Sequence, residues 1–169
     1  ILKNYPDAHL YIAGNDLTKT DSLYGRLKIS SFAKYIKRLI SEYNLEEKVT
    51  FTGSLTEQKM KERFLKSNVF VSPSTIENSP NSLGEAMLLG VPCISSDVGG
   101  VKNLLKHEEE GYVYQTDAPY MLAYYVKKMF AMEKQAETMG AKAKERAAKT
   151  HNRERNLEVL LKIYEDILK

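Results

Sequence analysis

Short apolar runs, each stopped by glycine, serine or proline, alternate along much of the chain with longer segments whose apolar residues recur at helical spacing. Leu10-Tyr11-Ile12-Ala13 is such a run, ended by Gly14 and Asn15, and reads as a buried strand. After a polar stretch from Asp16 to Lys28, the residues Phe32, Ile36, Leu39, Ile40 and Tyr43 repeat at helical spacing behind Ser30 and Ser31, both good N-caps. Val49-Thr50-Phe51-Thr52 ends at Gly53 as a second strand, and Thr56 opens a helix that turns Met60, Phe64 and Leu65 to the core. Val69-Phe70-Val71-Ser72 is a third strand, ended by Pro73. A loop from Ser74 to Pro80 leads into a helix from Asn81 to Leu89, closed by Gly90 at the C′ position. Cys93-Ile94-Ser95 is a fourth strand, Gly99-Gly100 feeds a short helix from Val101 to Lys106, and Tyr112-Val113-Tyr114 is a last strand after Gly111. From Asp117, an expected N-cap with Pro119 in the first turn, the chain reads as wholly helical.

Strict alternation of strands and helices, with short and almost wholly apolar strands, predicts an α/β domain. Its expected form is a doubly wound, Rossmann-like parallel sheet of about five strands, covered on both faces and followed by a helical C-terminal region. The expected organisation is one domain over residues 1–169, with a core over 1–133 and helices over 134–169. Ligands of such sheets bind beyond the carboxyl ends of the strands, where loops enter helix N-termini. That rule selects Gly14-Asn15, Gly53-Ser54-Leu55, Ser72 to Ser82 and Ser95 to Gly100.

Composition narrows the function classes. With 43% hydrophobic and 28% charged residues the chain is a globular domain rather than a disordered or fibrous one. A single cysteine, Cys93, excludes an internal disulfide and points to a reducing, cytoplasmic compartment. No apolar run reaches the roughly 18 residues that would cross a bilayer. Twenty-five basic against 22 acidic residues leave a net charge of +3, which gives no case for nucleic acid as a partner. Lys142, Lys144, Arg146, Lys149, Arg153 and Arg155 form the densest basic group. They read as a solvated helix face, with peripheral contact to anionic lipid headgroups at the inner face of a membrane as the alternative. His9, His107 and His151 have no metal-ligand spacing and read as surface residues, while Cys93 reads as a small core residue.

The segment from Ser72 to Pro92 carries more chemistry than a structural loop needs. Glu77 lies in the loop and Glu85 is expected in the first turn of the following helix, where backbone N–H groups without helical partners point to the strand ends. Such a helix start is an anion site, because free donors and the positive end of the dipole both favour a diphosphate. The plainer alternative for Glu85 is a capping box with Ser82, since the two stand in the Ser-x-x-Glu relation. For Glu77 it is an exposed loop carboxylate, and for Gly99-Gly100 a simple turn.

Glu77, Glu85, Ala86-Met87 and Gly90-Val91-Pro92 make this segment resemble family 4 of the glycosyltransferases, retaining enzymes of the two-domain GT-B plan. The likeness takes in Tyr5-Pro6-Asp7-Ala8, Val49 to Gly53, Asp97-Val98-Gly99-Gly100 and Gly111-Tyr112, and spans Leu2 to Tyr114 in the family's order. Each piece is weak alone and the set in register is strong. The resemblance implies a nucleotide-sugar-binding domain, with UDP- or GDP-sugar as donor, no metal cofactor, and a role in cell-surface polysaccharide or glycolipid synthesis. It implies that Glu77 faces the transferred sugar and its anomeric centre as the catalytic carboxylate, and that Glu85 takes the ribose hydroxyls. The diphosphate would lie on the backbone N–H groups of Asn81 and Ser82, with Asn78 and Ser79 reaching sugar hydroxyls. Gly53, Ser54 and Leu55 resemble the base-contacting turn; Pro80, without an N–H, cannot contribute.

Departures from the family pattern matter too. The Arg and Lys that clamp the diphosphate in the family are expected upstream of Ile1, as is an acceptor-binding N-terminal domain, so the chain alone is expected to lack transferase activity. Lys102-Asn103 stands where the family often has Glu, and His151-Asn152-Arg153 where an aromatic pair is common. A nucleotide-sugar epimerase of the same fold and a non-catalytic nucleotide-sugar-binding module are the alternative functions.

Overall fold

The structure, a computed structural model, describes residues 1–16 and 30–168, so the polar stretch expected from Asp16 to Lys28 lies outside the described residues but for its first. The chain falls into two compact units, Ile1–Met60 and Lys61–Lys169.

In the first unit, β1 (Leu10–Ile12) pairs in parallel with β2 (Val49–Phe51), Leu10 opposite Val49 and Ile12 opposite Phe51. The ladder is extended by bonds from the Leu10 N–H to the Lys48 carbonyl and from the Thr52 N–H to the Ile12 carbonyl, at 2.9 and 3.0 Å. Helix α1 (Ser31–Glu42) starts as expected, with Ser30 as N-cap accepting from the Ala33 N–H at 3.1 Å. It ends on Asn44 in the left-handed region, with the Leu45 N–H reaching back to the Ile40 carbonyl at 2.8 Å. The expected core stripe of α1 is corrected. Ile36, Leu39 and Ile40 are half-buried, but Phe32 and Tyr43 are exposed. They sit on the rim of the stripe, where helical spacing alone cannot separate covered from uncovered positions.

Helix α2 (Glu57–Leu65) begins in the first unit and ends in the second. Phe64 is buried and meets Phe70 edge-on at 5.4 Å between ring centres, whereas Leu65, expected in the core, is exposed. The second unit holds β3 (Phe70–Ser72), β4 (Cys93–Ser96) and β5 (Gly111–Tyr114), parallel throughout and in the order β3-β4-β5. Every residue of β4 and β5 is buried, as strands covered on both faces should be. Among the described residues, then, the five strands pair in parallel, two in one sheet and three in another.

Helices α3 (Asn81–Leu88) and α4 (Val101–Leu104) follow β3 and β4. Helix α5 (Pro119–Ala131) has Pro119 in its first turn, but its N-cap is Ala118 rather than the expected Asp117, and no side chain caps it. Proline at the first helical position removes a donor that a cap would serve, which lets Ala118 hold that place. With α6 (Glu133–Thr150), α5 covers a core of Ile94, Tyr112, Tyr114, Tyr125, Val126, Met129, Ala136 and Met139. The last helix, α7 (Arg153–Ile167), buries none of its residues, and Leu157, Leu160, Leu161 and Tyr164 are about half exposed. No helix among the described residues is long and apolar enough to cross a membrane.

Cys93 is fully buried in β4, with its Sγ 3.0 Å from the Val91 carbonyl, and burial pushes its thiol well above the ordinary range. Because the thiolate is the reactive form, a raised pKa leaves almost none of it at pH 8. Iodoacetamide should leave Cys93 unmodified in the folded protein and alkylate it fully after unfolding, as read by peptide mass spectrometry. Rapid labelling under native conditions would contradict the burial of β4.

Candidate active site

β3, which leads into the segment from Ser72 to Pro80, and its neighbour β4 both end in serine, and the last hydroxyl of β4 holds the loop that leaves β3. Ser95 and Ser96 are fully buried; the Ser96 hydroxyl donates to the Ser72 carbonyl at 3.3 Å and to the Ser74 carbonyl, while Ser95 reaches the Ser96 carbonyl at 3.2 Å. A buried hydroxyl requires a partner, and Ser96 finds one at the end of β3 and another in the loop that follows, which has no ladder of its own. The Ser74 hydroxyl in turn donates to the Glu77 carboxylate at 3.1 Å, so Glu77, half-buried, is oriented from within the loop. This removes the reading of Glu77 as a simple exposed loop carboxylate.

The next turn after β4 completes the hold. The Gly100 N–H donates to the Asn78 carbonyl at 2.7 Å. Gly99 has φ +50, and a side chain there would overlap the Glu77 carbonyl oxygen; one at Gly100 would stand 2.9 Å from the Asn78 oxygen. Gly99-Gly100 is therefore more than a turn. It is the surface on which the Glu77-Asn78 backbone lies, and only glycine allows so close an approach.

Helix α3 begins with Pro80 as N-cap, at φ −71, and no side chain caps it. The Pro80 carbonyl accepts from the Leu83 and Gly84 N–H groups at 3.1 and 3.4 Å. The N–H groups of Asn81 and Ser82 have no partner among the described residues. This corrects the capping-box alternative: the box requires Ser82 at N-cap, but the helix has already begun at Asn81, and Glu85 stands exposed a full turn inside it. At its other end α3 closes as expected. Gly90, at φ +76, donates to the Met87 carbonyl at 2.9 Å, and Val91 to the Ala86 carbonyl at 3.0 Å.

The arrangement thus offers an uncapped pair of amides, suited to an anion, in the same loop and helix as an oriented carboxylate and an exposed one, suited to hydroxyl groups. Asn78 and Ser79 lie exposed in the loop between them. Gly53, Ser54 and Leu55 belong to the first unit, where the Gly53 carbonyl accepts from the Gly14 N–H at 3.1 Å and Ser54 is exposed. Among the described residues no three His, Cys, Asp or Glu side chains cluster as metal ligands. Lys102 pairs with Asp97, and the Asn103 carbonyl accepts from the Arg146 Nη2 at 2.8 Å, which gives both a structural task. Arg146 also lies 3.5 Å from Glu110, so the basic group on α6 and α7 is in part tied into the fold. Of the surface histidines, His107 accepts from the Val113 N–H at 3.0 Å and His151 lies on Gly84. Sequence reasoning selected Ser95 to Gly100 but not the bonds of Ser96 to the Ser72 and Ser74 carbonyls, and it missed the contact between His151 and Gly84.

Solved structures share this fold. Sucrose-phosphate synthase from Thermosynechococcus elongatus is similar over 99% of this chain and 40% of its own, with a TM-score of 0.80 and 27% identity. Anabaena HepE, solved in complex with UDP, is similar over 93% of this chain and 42% of its own, with a TM-score of 0.75 and 20% identity. The fold is that of a GT-B glycosyltransferase domain. The chain belongs to the family described as Glycosyl transferases group 1, whose pattern matches residues 1–146. In sequence it is also similar to N-acetyl-alpha-D-glucosaminyl L-malate synthase of Bacillus anthracis, 27% identical over 134 residues, which are 79% of this chain and 35% of that protein. The chain spans less than half the length of each of these three proteins.

Substituting Gly99 tests the hold on the loop. Gly99→Ala should force the Glu77-Asn78 backbone away from the glycine pair and lower the thermal midpoint, because a methyl at 99 overlaps the Glu77 carbonyl and φ +50 is unfavourable for alanine. The β4–β5 core should remain folded by near-UV circular dichroism. A wild-type thermal midpoint in this variant would mean that the Glu77 loop does not depend on the glycine pair.

Proposed function

We propose that this chain is the nucleotide-sugar-binding half of a retaining, metal-independent glycosyltransferase of family 4 type. The observation that carries the reading is the uncapped start of α3, which leaves the Asn81 and Ser82 N–H groups without partners among the described residues, in the segment that also bears Glu77 and Glu85. In this reading those amides bind the donor's diphosphate, where helix dipole and free donors both favour negative charge. Glu77, oriented by Ser74, faces the transferred sugar and counters the positive charge that develops at its anomeric carbon. Glu85 accepts from the ribose hydroxyls, Asn78 and Ser79 meet sugar hydroxyls, and Gly53, Ser54 and Leu55 keep the base-contacting role that the resemblance gives them. An acceptor-binding N-terminal domain of the same protein supplies the second substrate and the basic clamp. The product is a cell-surface polysaccharide or glycolipid, made at the cytoplasmic face of a membrane.

Two measurements on the full-length enzyme test this. Glu77→Ala should cut kcat by about 10²-fold or more, as loss of a charge-stabilising group does. Glu85→Gln should instead weaken donor binding by calorimetry and leave thermal stability unchanged, since Glu85 has no cap to lose. Near-normal kcat in the first variant overturns the catalytic assignment, and wild-type donor affinity in the second overturns the ribose assignment. Because amides and an upstream Arg/Lys pair neutralise the diphosphate in this scheme, activity should survive EDTA. Loss on chelation, restored by Mg²⁺ or Mn²⁺, would refute the metal-independent mechanism. Retained anomeric configuration in the product, read by NMR, checks the stereochemistry.

A further inference from the structure

Helix α3 contains a glycine that its own backbone does not require. Gly84 is buried in the helix interior and its φ is not positive, so alanine would fit the local conformation and favour the helix more. What excludes a side chain is His151. A methyl group at 84 would overlap the imidazole Nε2 and stand 2.9 Å from both Cδ2 and Cε1, so the edge of the ring rests on the bare Cα.

His151 is held in that place from its own side. It is the C-cap of α6, and its N–H donates to the Ala147 carbonyl at 2.8 Å. Its Nδ1 lies 2.9 Å from the Thr150 hydroxyl. One residue on, Asn152 caps α7 by accepting from the Arg155 N–H at 2.8 Å, and the Asn156 side-chain amide donates to the Thr150 carbonyl at 3.1 Å. The ring therefore projects from a short junction fixed on both flanks. At the other end of α3, a side chain on Gly140 of α6 would overlap the Gly90 carbonyl, so the two helices touch there through backbone. Helix α6 thus grips α3 at two points, Gly90 near its C-terminus and Gly84 in its first turns, and His151 makes the second.

We propose that His151 is a positioning residue for the donor site: by seating its ring on Gly84 it sets the tilt of the first turns of α3, and with it the direction of the Asn81 and Ser82 N–H groups and of Glu85. This rests on the donor-binding role proposed for those groups. Simple packing would be served by an apolar side chain and a larger residue at 84; here the imidazole of an exposed residue is matched to a residue with no side chain at all.

The test is a double-mutant cycle in the full-length enzyme, with donor KM, kcat and thermal midpoint measured for each variant. His151→Ala and Gly84→Ala should each raise donor KM about five- to tenfold, the range of directly coupled contacts. Values of kcat should stay within about twofold. In the His151→Ala background, Gly84→Ala should add no further increase, since the methyl then occupies space the ring has left. His151→Phe, which keeps a flat ring over Gly84, should restore KM to near the wild-type value. It also provides the folded comparison if an alanine variant is unstable. Unchanged KM in both single variants, or an equal effect of Gly84→Ala with and without His151, overturns the proposal. The two readings fail separately. If His151 variants shift KM while Glu85→Gln does not, positioning stands and the ribose assignment falls; if only Glu85→Gln shifts it, the ribose assignment stands and positioning falls.

Discussion

The hydrogen bonds that run from the end of β4 to the loop leaving β3 set the shape of the candidate site. That loop has no helix or ladder of its own to satisfy its backbone, and it borrows partners from its neighbour: the Ser96 hydroxyl for the Ser74 carbonyl, shared with Ser72 at the end of β3, and the Gly100 amide for the Asn78 carbonyl. The Ser96 donor is dependable because β4 is buried along its whole length and paired on both sides, Ser95 with Ser72 of β3 and Ser96 with Tyr114 of β5. Rigidity made in the core is passed to the surface through a few short bonds, and Glu77 inherits it through Ser74.

Helix α3 treats its two ends in opposite ways. The C-terminal carbonyls are answered within the chain, by Gly90 and Val91, whereas the N-terminal amides of Asn81 and Ser82 find no partner among the described residues. Proline at the N-cap has no side-chain acceptor to offer them, and its own nitrogen carries no hydrogen. A helix start left open in this way gives up some stability of its own to keep donors available, a common arrangement where a ligand rather than a side chain completes the helix.

Much of this was legible in the sequence for definite reasons. Gly90 announced the end of α3 because only a residue tolerant of positive φ closes a helix that way, and the short run at β4, bounded by turn residues, announced a strand covered on both faces. Loop composition and the carboxyl-edge rule both pointed to the segment from Ser72 to Ser82, which holds Glu77, Asn81 and Ser82. The misses share another cause. Whether Asp117 or Ala118 opens α5 is decided by a single residue's φ and ψ, which local preference ranks but does not fix. The exposure of Phe32, Tyr43 and Leu65 depends on what lies opposite them, and the match of His151 to Gly84 joins residues far apart in the chain. Spacing within one segment carries no information about either.

The way the Glu77 loop is fastened also has a meaning for engineering. Its restraints act on the carbonyls of Ser72, Ser74 and Asn78 and on the bare backbone at Gly99-Gly100, and the Ser74 hydroxyl is the loop side chain that joins them. Thr75, Ile76 and Ser79 are exposed instead, Ile76 at 89%. A loop held by its main chain can exchange such side chains while its path stays the same. The path of the segment is thus set apart from most of its side chains, so that Thr75, Ile76 and Ser79 can be exchanged by design without redirecting Glu77.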